Sequence, residues 1–302
     1  MVKEAQRILS LSTFSFNVVR KFLSHILIIV LGVLLFNLVY VGLIGGYLRI
    51  YADKYLNFPA KISLLILGDS HPNLAWVSNP DGAAYNFSQG SDNIVDMRKK
   101  FEYATVHNGE EGKKALVLSF ESHLIAPYRA LKQNNRLNDL LNHPYLDKRV
   151  VYAMPLIFDP TTEVDVQQYI GRLFKSPVDA ENVFTKRRAD GRLRHQFADG
   201  SVSRNLLREY QNLINDARKA GYEIIAIKYP LHPYYDSLVK RDPRSLKLTH
   251  AMDSLAGVND LSITDFSDII RDPALFRDPD HLNSKGSAVF VKEFAKAFFN
   301  RY

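Results

Sequence analysis

Between Phe22 and Leu48 the chain runs for 27 residues without an Asp, Glu, Lys or Arg. As a helix that stretch would be about 40 Å long at ~1.5 Å per residue, enough to cross a hydrocarbon core of ~30 Å. No polar face interrupts it, so it reads as a transmembrane helix and not as a core helix. Beyond it the pattern changes to short apolar runs alternating with amphipathic stretches. Ile62 to Leu67 is apolar but for Ser63 and ends at Gly68, as a parallel strand buried on both faces would. Ala83 to Phe87 and Ala115 to Phe120 predict two more strands, with helical spacing over Ser91 to His107 between them. Arg204 to Ala220 predicts a helix closed by Gly221, and Glu223 to Tyr229 a β-branched strand stopped by Pro230. A helix over Arg244 to Ala256, a strand over Ser262 to Phe266 and a helix over Ser284 to Phe299 complete the series. In that last helix Val289, Phe290, Phe294, Ala295 and Phe298 should form the stripe that packs on the sheet.

Alternation of strand and helix predicts a three-layer α/β/α sandwich, flavodoxin-like, around a mostly parallel sheet. The expected organisation is a cytoplasmic segment over 1–21, the membrane helix over 22–48, a juxtamembrane connector over 49–60 and a catalytic domain over 61–302. Tyr47, Tyr51 and Tyr55 are spaced to act as interfacial aromatic anchors in the connector. Residues 140–200 mix apolar and charged positions, broken by Pro155, Pro160, Pro177, Gly191 and Gly200, and read as an insertion or lid. A cleavable signal peptide would have a shorter apolar region and a small-x-small site, which Gly45-Gly46-Tyr47-Leu48 does not supply.

The formal net charge of +7 adds less than it first promises. Four Lys/Arg against Glu4 give the first 21 residues +3, leaving +4 for the rest, which is no nucleic-acid footprint. Lys186-Arg187-Arg188 and Arg192-Leu193-Arg194-His195 concentrate positive charge in what reads as a solvated loop, able to attract an anionic polymer or lipid headgroups. Lys3, Arg7, Arg20 and Lys21 precede the apolar span while Arg49 and Lys54 follow it, which favours an internal N-terminus. The domain would then face the periplasm or the cell exterior. The chain has no cysteine, which excludes a disulfide framework and decides little else.

Two short motifs carry the chemistry. Leu64-Leu65-Ile66-Leu67 leads into Gly68-Asp69-Ser70-His71, placing a hydroxyl at the carboxyl edge of a strand, where open α/β sheets build their sites. Near the C-terminus, Asp278-Pro279-Asp280-His281-Leu282-Asn283 puts a carboxylate three residues before a histidine. Ser70 as nucleophile, His281 as base and Asp278 as the group orienting that base would make a triad. No H-E-x-x-H or similar spacing appears, so neither a metal nor another cofactor is expected.

With its order Ser, Asp, His, this pairing resembles the SGNH (GDSL-like) hydrolase and acyltransferase superfamily. The resemblance covers most of residues 60 to 300 in element order and rests on about a dozen positions. It implies an oxyanion hole formed by the backbone N–H of Ser70 and that of a glycine after the second strand, for which Gly90 in Asn86-Phe87-Ser88-Gln89-Gly90 is the match. A third donor, an asparagine after the third strand, is missing: that strand ends in Ser119-Phe120-Glu121-Ser122-His123. Gly257-Val258-Asn259-Asp260 spells the absent motif but lies after the fourth strand, and reads as a turn. Asp69, His71, Ser122, His123 and His232 are the further candidates to line the cleft, Asp69 more as a hydrogen-bond acceptor than as a second base.

Because free esterases of this kind are usually exported whole, a tethered domain is similar to the accessory proteins of envelope polysaccharide O-acetylation and teichoic-acid D-alanylation. The resemblance therefore implies a serine O-acyltransferase acting on an envelope polymer through an acyl-Ser70 intermediate, with a multispan membrane-bound O-acyltransferase as partner. An esterase using water as acceptor, and a non-catalytic assembly subunit, are the two alternatives.

Overall fold

A computed structural model describes residues 2–76, 83–131, 135–142 and 184–298. Helix α1 spans Val2–Leu56 without a break. Within it Asn17–Val39 is long and apolar enough to cross a membrane, and none of that window is buried against the protein. Side chains such as Leu27, Ile28, Leu35 and Phe36 lie exposed. An apolar stripe of this length left exposed among the described residues suits a lipid solvent.

β1 (Leu64–Leu67) is buried at all four positions. It is followed by α2 (Ser70–Ala75), β2 (Ala84–Asn86), α3 (Ile94–His107) and β3 (Lys114–Ser119). Short helices α4 (Tyr128–Leu131) and α5 (Asn135–Asn142) precede α6 (Lys186–Gln196) and α7 (Arg204–Lys219). β4 (Tyr222–Lys228), α8 (Pro233–Val239), α9 (Pro243–Val258) and β5 (Ile263–Asp265) follow. The chain closes with a small hairpin, β6 (Phe276–Asp278) and β7 (His281–Leu282), and α10 (Ser284–Phe298).

All pairings in the main sheet are parallel, in the order β2-β1-β3-β4-β5. Strand alternation divides the core into two layers. Leu65, Leu67, Leu116 and Leu118 face one side, where Phe101 of α3, Tyr210 and Leu213 of α7 and Leu248 of α9 cover them. Leu64, Ile66, Val117 and Ile227 face the other, against Trp76 and the Phe290 and Phe294 rings of α10. The architecture is therefore the expected α/β sandwich, with order reversing between β1 and β3, where such sheets leave a crevice.

The structure corrects several expectations. Tyr55 is no membrane-interface anchor: it is 2% exposed, its hydroxyl donates to Asn138 Oδ1 at 2.7 Å, and its ring meets Phe87 edge-on at 4.7 Å. Ala52 and Phe58 join the same cluster, so the folded core starts inside α1 and not near Lys61. Apolar residues at the end of a long helix can serve lipid or protein, and composition alone does not choose between them. Tyr47 and Tyr51 have side chains outside the described residues. Gly191 does not break the chain but lies within α6, and the basic cluster is helical, with Arg192 turned inward. The rest of the expected insertion, 143–183, lies outside the described residues. Val289 is exposed, so the apolar stripe of α10 is carried by Phe290 and Phe294.

Candidate active site

The turn after β1 is built around Gly68, at φ +155°. A Cβ there would meet Pro72 Cγ at 2.4 Å and Ser119 Oγ at 2.9 Å, so only glycine lets α2 start this close to the sheet. Asp69 caps α2, accepting from the His71 N–H at 3.0 Å, and Ser70 stands at the first turn. Ser70 Oγ lies 2.8 Å from His281 Nε2, and His281 Nδ1 lies 2.8 Å from Asp278 Oδ1. With Nδ1–H donated to Asp278, Nε2 is left to accept the serine proton. Two motifs 211 positions apart thus meet at hydrogen-bond distance on one rim of the sheet.

Around this trio lies a buried charged network that sequence spacing did not reveal. His71 Nδ1 is 2.7 Å from both Glu121 oxygens, and its Nε2 is 3.5 Å from Asp280 Oδ2. Burial alone would lower the His71 pKa, but the Glu121 and Asp69 carboxylates and the bond to Asp280 hold it well above 6.5. Asp69 Oδ2 takes bonds from His123 Nε2 at 2.9 Å and Arg129 Nη2 at 3.0 Å. Burial opposes its ionisation, yet Arg129 and the two histidines hold Asp69 well below 3.8. Asp69 is thus a hydrogen-bond acceptor, and His123 is one of its two side-chain partners on Oδ2.

The sign of the His71 shift gives a stability test. A folded-state pKa above 6.5 means that its contribution is complete below pH 6.5 and is lost as pH rises through the higher folded value. The difference in unfolding free energy between wild type and His71→Gln should therefore be flat at acid pH and shrink on the alkaline side. Denaturant titrations from pH 5.5 to 9 measure it. A constant difference over that whole range would show that His71 is not held charged.

Asp69, His71, Glu121 and His123 present ligand atoms within 4.8 Å of one another, a clustering that the fold creates and no sequence spacing announced. Their atoms are already engaged by each other and by Arg129, so the charges are balanced within the protein. A cavity of about 110 Å³ opens beside His71, Glu121, Ser122 and His123, and Ser122 is half-buried on its wall.

The loop after β2 reaches the same rim, because the Gln89 N–H bonds to the Gly68 carbonyl at 3.4 Å. Gly90 is half-buried in that loop, and the next residue, Ser91, adopts φ +74°, a conformation costly for a non-glycine residue and common near functional sites. Lys54, from the last turn of α1, donates its Nζ to Asn73 Oδ1 at 3.0 Å, to the Asn86 carbonyl at 3.1 Å and to the Ser88 carbonyl. Burial and the nearby Lys100 ammonium bring its pKa down to about 7. The end of α1 is thereby tied to both the nucleophile helix and the glycine loop.

His232 does not turn toward the triad. It caps α8, accepting from the Tyr234 N–H at 3.2 Å, and stacks on Phe184 with centroids 3.6 Å apart. Its backbone N–H bonds to the Pro279 carbonyl at 3.1 Å, which steadies the turn between Asp278 and His281. Burial lowers its pKa. Asn259 pairs with Gln211 at the end of α9, so the Gly-x-Asn-Asp echo is the turn it was read as.

No protein-family model matches the chain, and no curated protein does. Among solved structures it is similar to a crystal structure described as a putative acylhydrolase from Bacteroides fragilis NCTC 9343, at 11% identity and a TM-score of 0.41. That match covers 83% of this chain and 94% of the other, a likeness too slight to carry an argument about function.

Proposed function

We propose that the chain is a membrane-anchored SGNH-type serine O-acyltransferase that acylates, most simply acetylates, a polysaccharide at the outer face of the membrane. The observation that carries this reading is the 2.8 Å contact of Ser70 Oγ with His281 Nε2, in line with Asp278 on Nδ1. The long apolar helix supplies the second half, since it keeps the site beside a membrane where a multispan partner would deliver acyl groups.

In the first half-reaction Ser70 Oγ attacks the donor's acyl carbonyl while His281 takes its proton. Collapse of the tetrahedral intermediate breaks the bond to the donor, which leaves with that proton, and acyl-Ser70 remains. A sugar hydroxyl then attacks, giving its proton to His281, and the new ester departs as the proton returns to Ser70. The backbone N–H groups of Ser70 and Gly90 would receive the oxyanion, and Asp278 would hold the imidazole tautomer throughout.

The test is Ser70→Ala in cells and in purified full-length protein. Wild type should be labelled by a serine-directed fluorophosphonate and the variant not, and polymer acylation should fall to background in cells carrying the variant. Undiminished acylation in those cells would overturn the catalytic reading and leave the assembly-subunit alternative. Fast p-nitrophenyl acetate hydrolysis by wild type without any partner would instead favour water as the acceptor.

A further inference from the structure

Asp280 has no part in the scheme above, although it immediately precedes the base. It is 2% exposed, and an isolated carboxylate that deep would cost several kcal/mol if left unpaired. Its Oδ2 is well supplied: Gln196 Nε2 donates at 2.9 Å, the Arg192 guanidinium forms an ion pair through Nε at 3.2 Å, and His71 Nε2 lies at 3.5 Å. Its Oδ1 has no hydrogen-bond partner and lies 3.4 Å from His281 Nδ1, the nitrogen that Asp278 already holds at 2.8 Å. Three partners from two other elements, α2 and α6, therefore fix one oxygen so that the other faces the catalytic imidazole unoccupied.

We infer that Asp280 is a positioning residue for the base, a second carboxylate that shares the Nδ1 proton of His281 and ties the imidazole to helix α6 through Arg192 and Gln196. This rests on the reading of Ser70 and His281 as nucleophile and base. Asp278 provides the shorter, better-aligned bond in the resting arrangement. Asp280 takes the proton when Asp278 is displaced or neutralised, and in either case keeps Nε2 free to accept from Ser70. The ionised state this requires is supported by its surroundings: burial opposes it, but His281, the bond from His71 and the Arg192 guanidinium hold Asp280 well below 3.8. A purely structural role would explain the three partners on Oδ2. It would not explain why the other oxygen is left for the imidazole.

A mutant cycle on the full-length protein in detergent separates the two roles, using the rate of fluorophosphonate labelling of Ser70, which needs no substrate. In a triad with a single carboxylate, its replacement by the amide costs about 10⁴-fold, because the imidazole is left in the wrong tautomer. With Asp280 in reserve, Asp278→Asn should slow labelling by only about 10²-fold, and Asp280→Asn alone by no more than about tenfold. The double variant should fall by about 10⁴-fold or more, beyond the product of the two single losses. Asp280→Glu combined with Asp278→Asn should label faster than the double amide variant. Arg192→Gln, which removes one positive charge from beside Oδ2, should slow the Asp278→Asn background about fivefold and wild type less. Losses that simply multiply, with Arg192→Gln acting alike in both backgrounds, would overturn the inference while leaving Ser70 as nucleophile. A wild type that takes no label would overturn both readings.

Discussion

Replacing His281 by alanine is expected to reduce both fluorophosphonate labelling of Ser70 and ester turnover by about 10⁴-fold or more. The reason is geometric. Among the described residues His281 Nε2, at 2.8 Å, is the base in hydrogen-bond contact with the Ser70 hydroxyl, and an unassisted serine is a poor nucleophile at neutral pH. The other buried histidines of the network cannot substitute, since His71 is engaged by Glu121 and Asp280 and His123 by Asp69. The fold should survive, because the side chain sits at the rim and the β6–β7 hairpin keeps its backbone bonds. A melting temperature within about 4 °C of wild type would correspond to no more than about 1–2 kcal/mol. A His281→Ala protein that folds normally and still labels at more than a tenth of the wild-type rate would remove the base from the mechanism.

The second large effect concerns where the domain begins. A soluble fragment starting at Lys61 should fail to fold, whereas one starting near Ile50 should yield a stable domain. The cut at Lys61 removes Tyr55, whose ring packs on Phe87 and Tyr103 and whose hydroxyl satisfies the buried Asn138. It also removes the Tyr55 carbonyl that accepts from Tyr103 at 3.1 Å, and the Lys54 tie to the glycine loop. Losing one large buried aromatic costs about 3–5 kcal/mol, and each orphaned buried polar group about 1–3 more. Those terms alone approach the ~5–15 kcal/mol that holds a typical domain together. Tyr55→Ala in the full-length chain supplies the finer measurement, with a clear drop in unfolding temperature expected. If the fragment from Lys61 folds and melts like the one from Ile50, the end of α1 is dispensable and the boundary belongs where sequence alone put it.

Legibility followed the periodicity of each segment. Strands β1 and β3 were visible because burial on both faces leaves runs with no polar interruption, such as Leu64 to Leu67 and Leu116 to Leu118, and β4 because of its β-branched residues Ile224, Ile225 and Ile227. α7 was visible because Leu206, Tyr210, Leu213, Ile214 and Ala217 keep helical spacing up to Gly221 at φ +76°. The trio of Ser70, Asp278 and His281 could be anticipated because the carboxylate and the base share one short turn. The surrounding network could not. Glu121, Arg129, Arg192 and Gln196 come from three separate segments, and only the packed sheet brings them to Asp69, His71 and Asp280. One local hint existed: Glu121 and His123 stand at the end of β3, where a carboxylate and an imidazole facing the crevice must find partners once buried. The early start of the core escaped notice for a different reason. Ala52 and Tyr55 continue the long apolar helix and Phe58 follows just after its end, and nothing in their identities marks where the exposed apolar window gives way to the protein core.

That uninterrupted helix has a mechanical meaning. From Val39, where the lipid-compatible window closes, to Leu56 there are 17 further residues, about 25 Å of rise with no hinge in the backbone. Under the proposed function, a chemical centre mounted on such a stem would work at a fixed stand-off from the membrane, and the last turn of that stem is pinned through Lys54 to α2 and the loop after β2. Acyl transfer would then take place within about one helix length of the membrane surface.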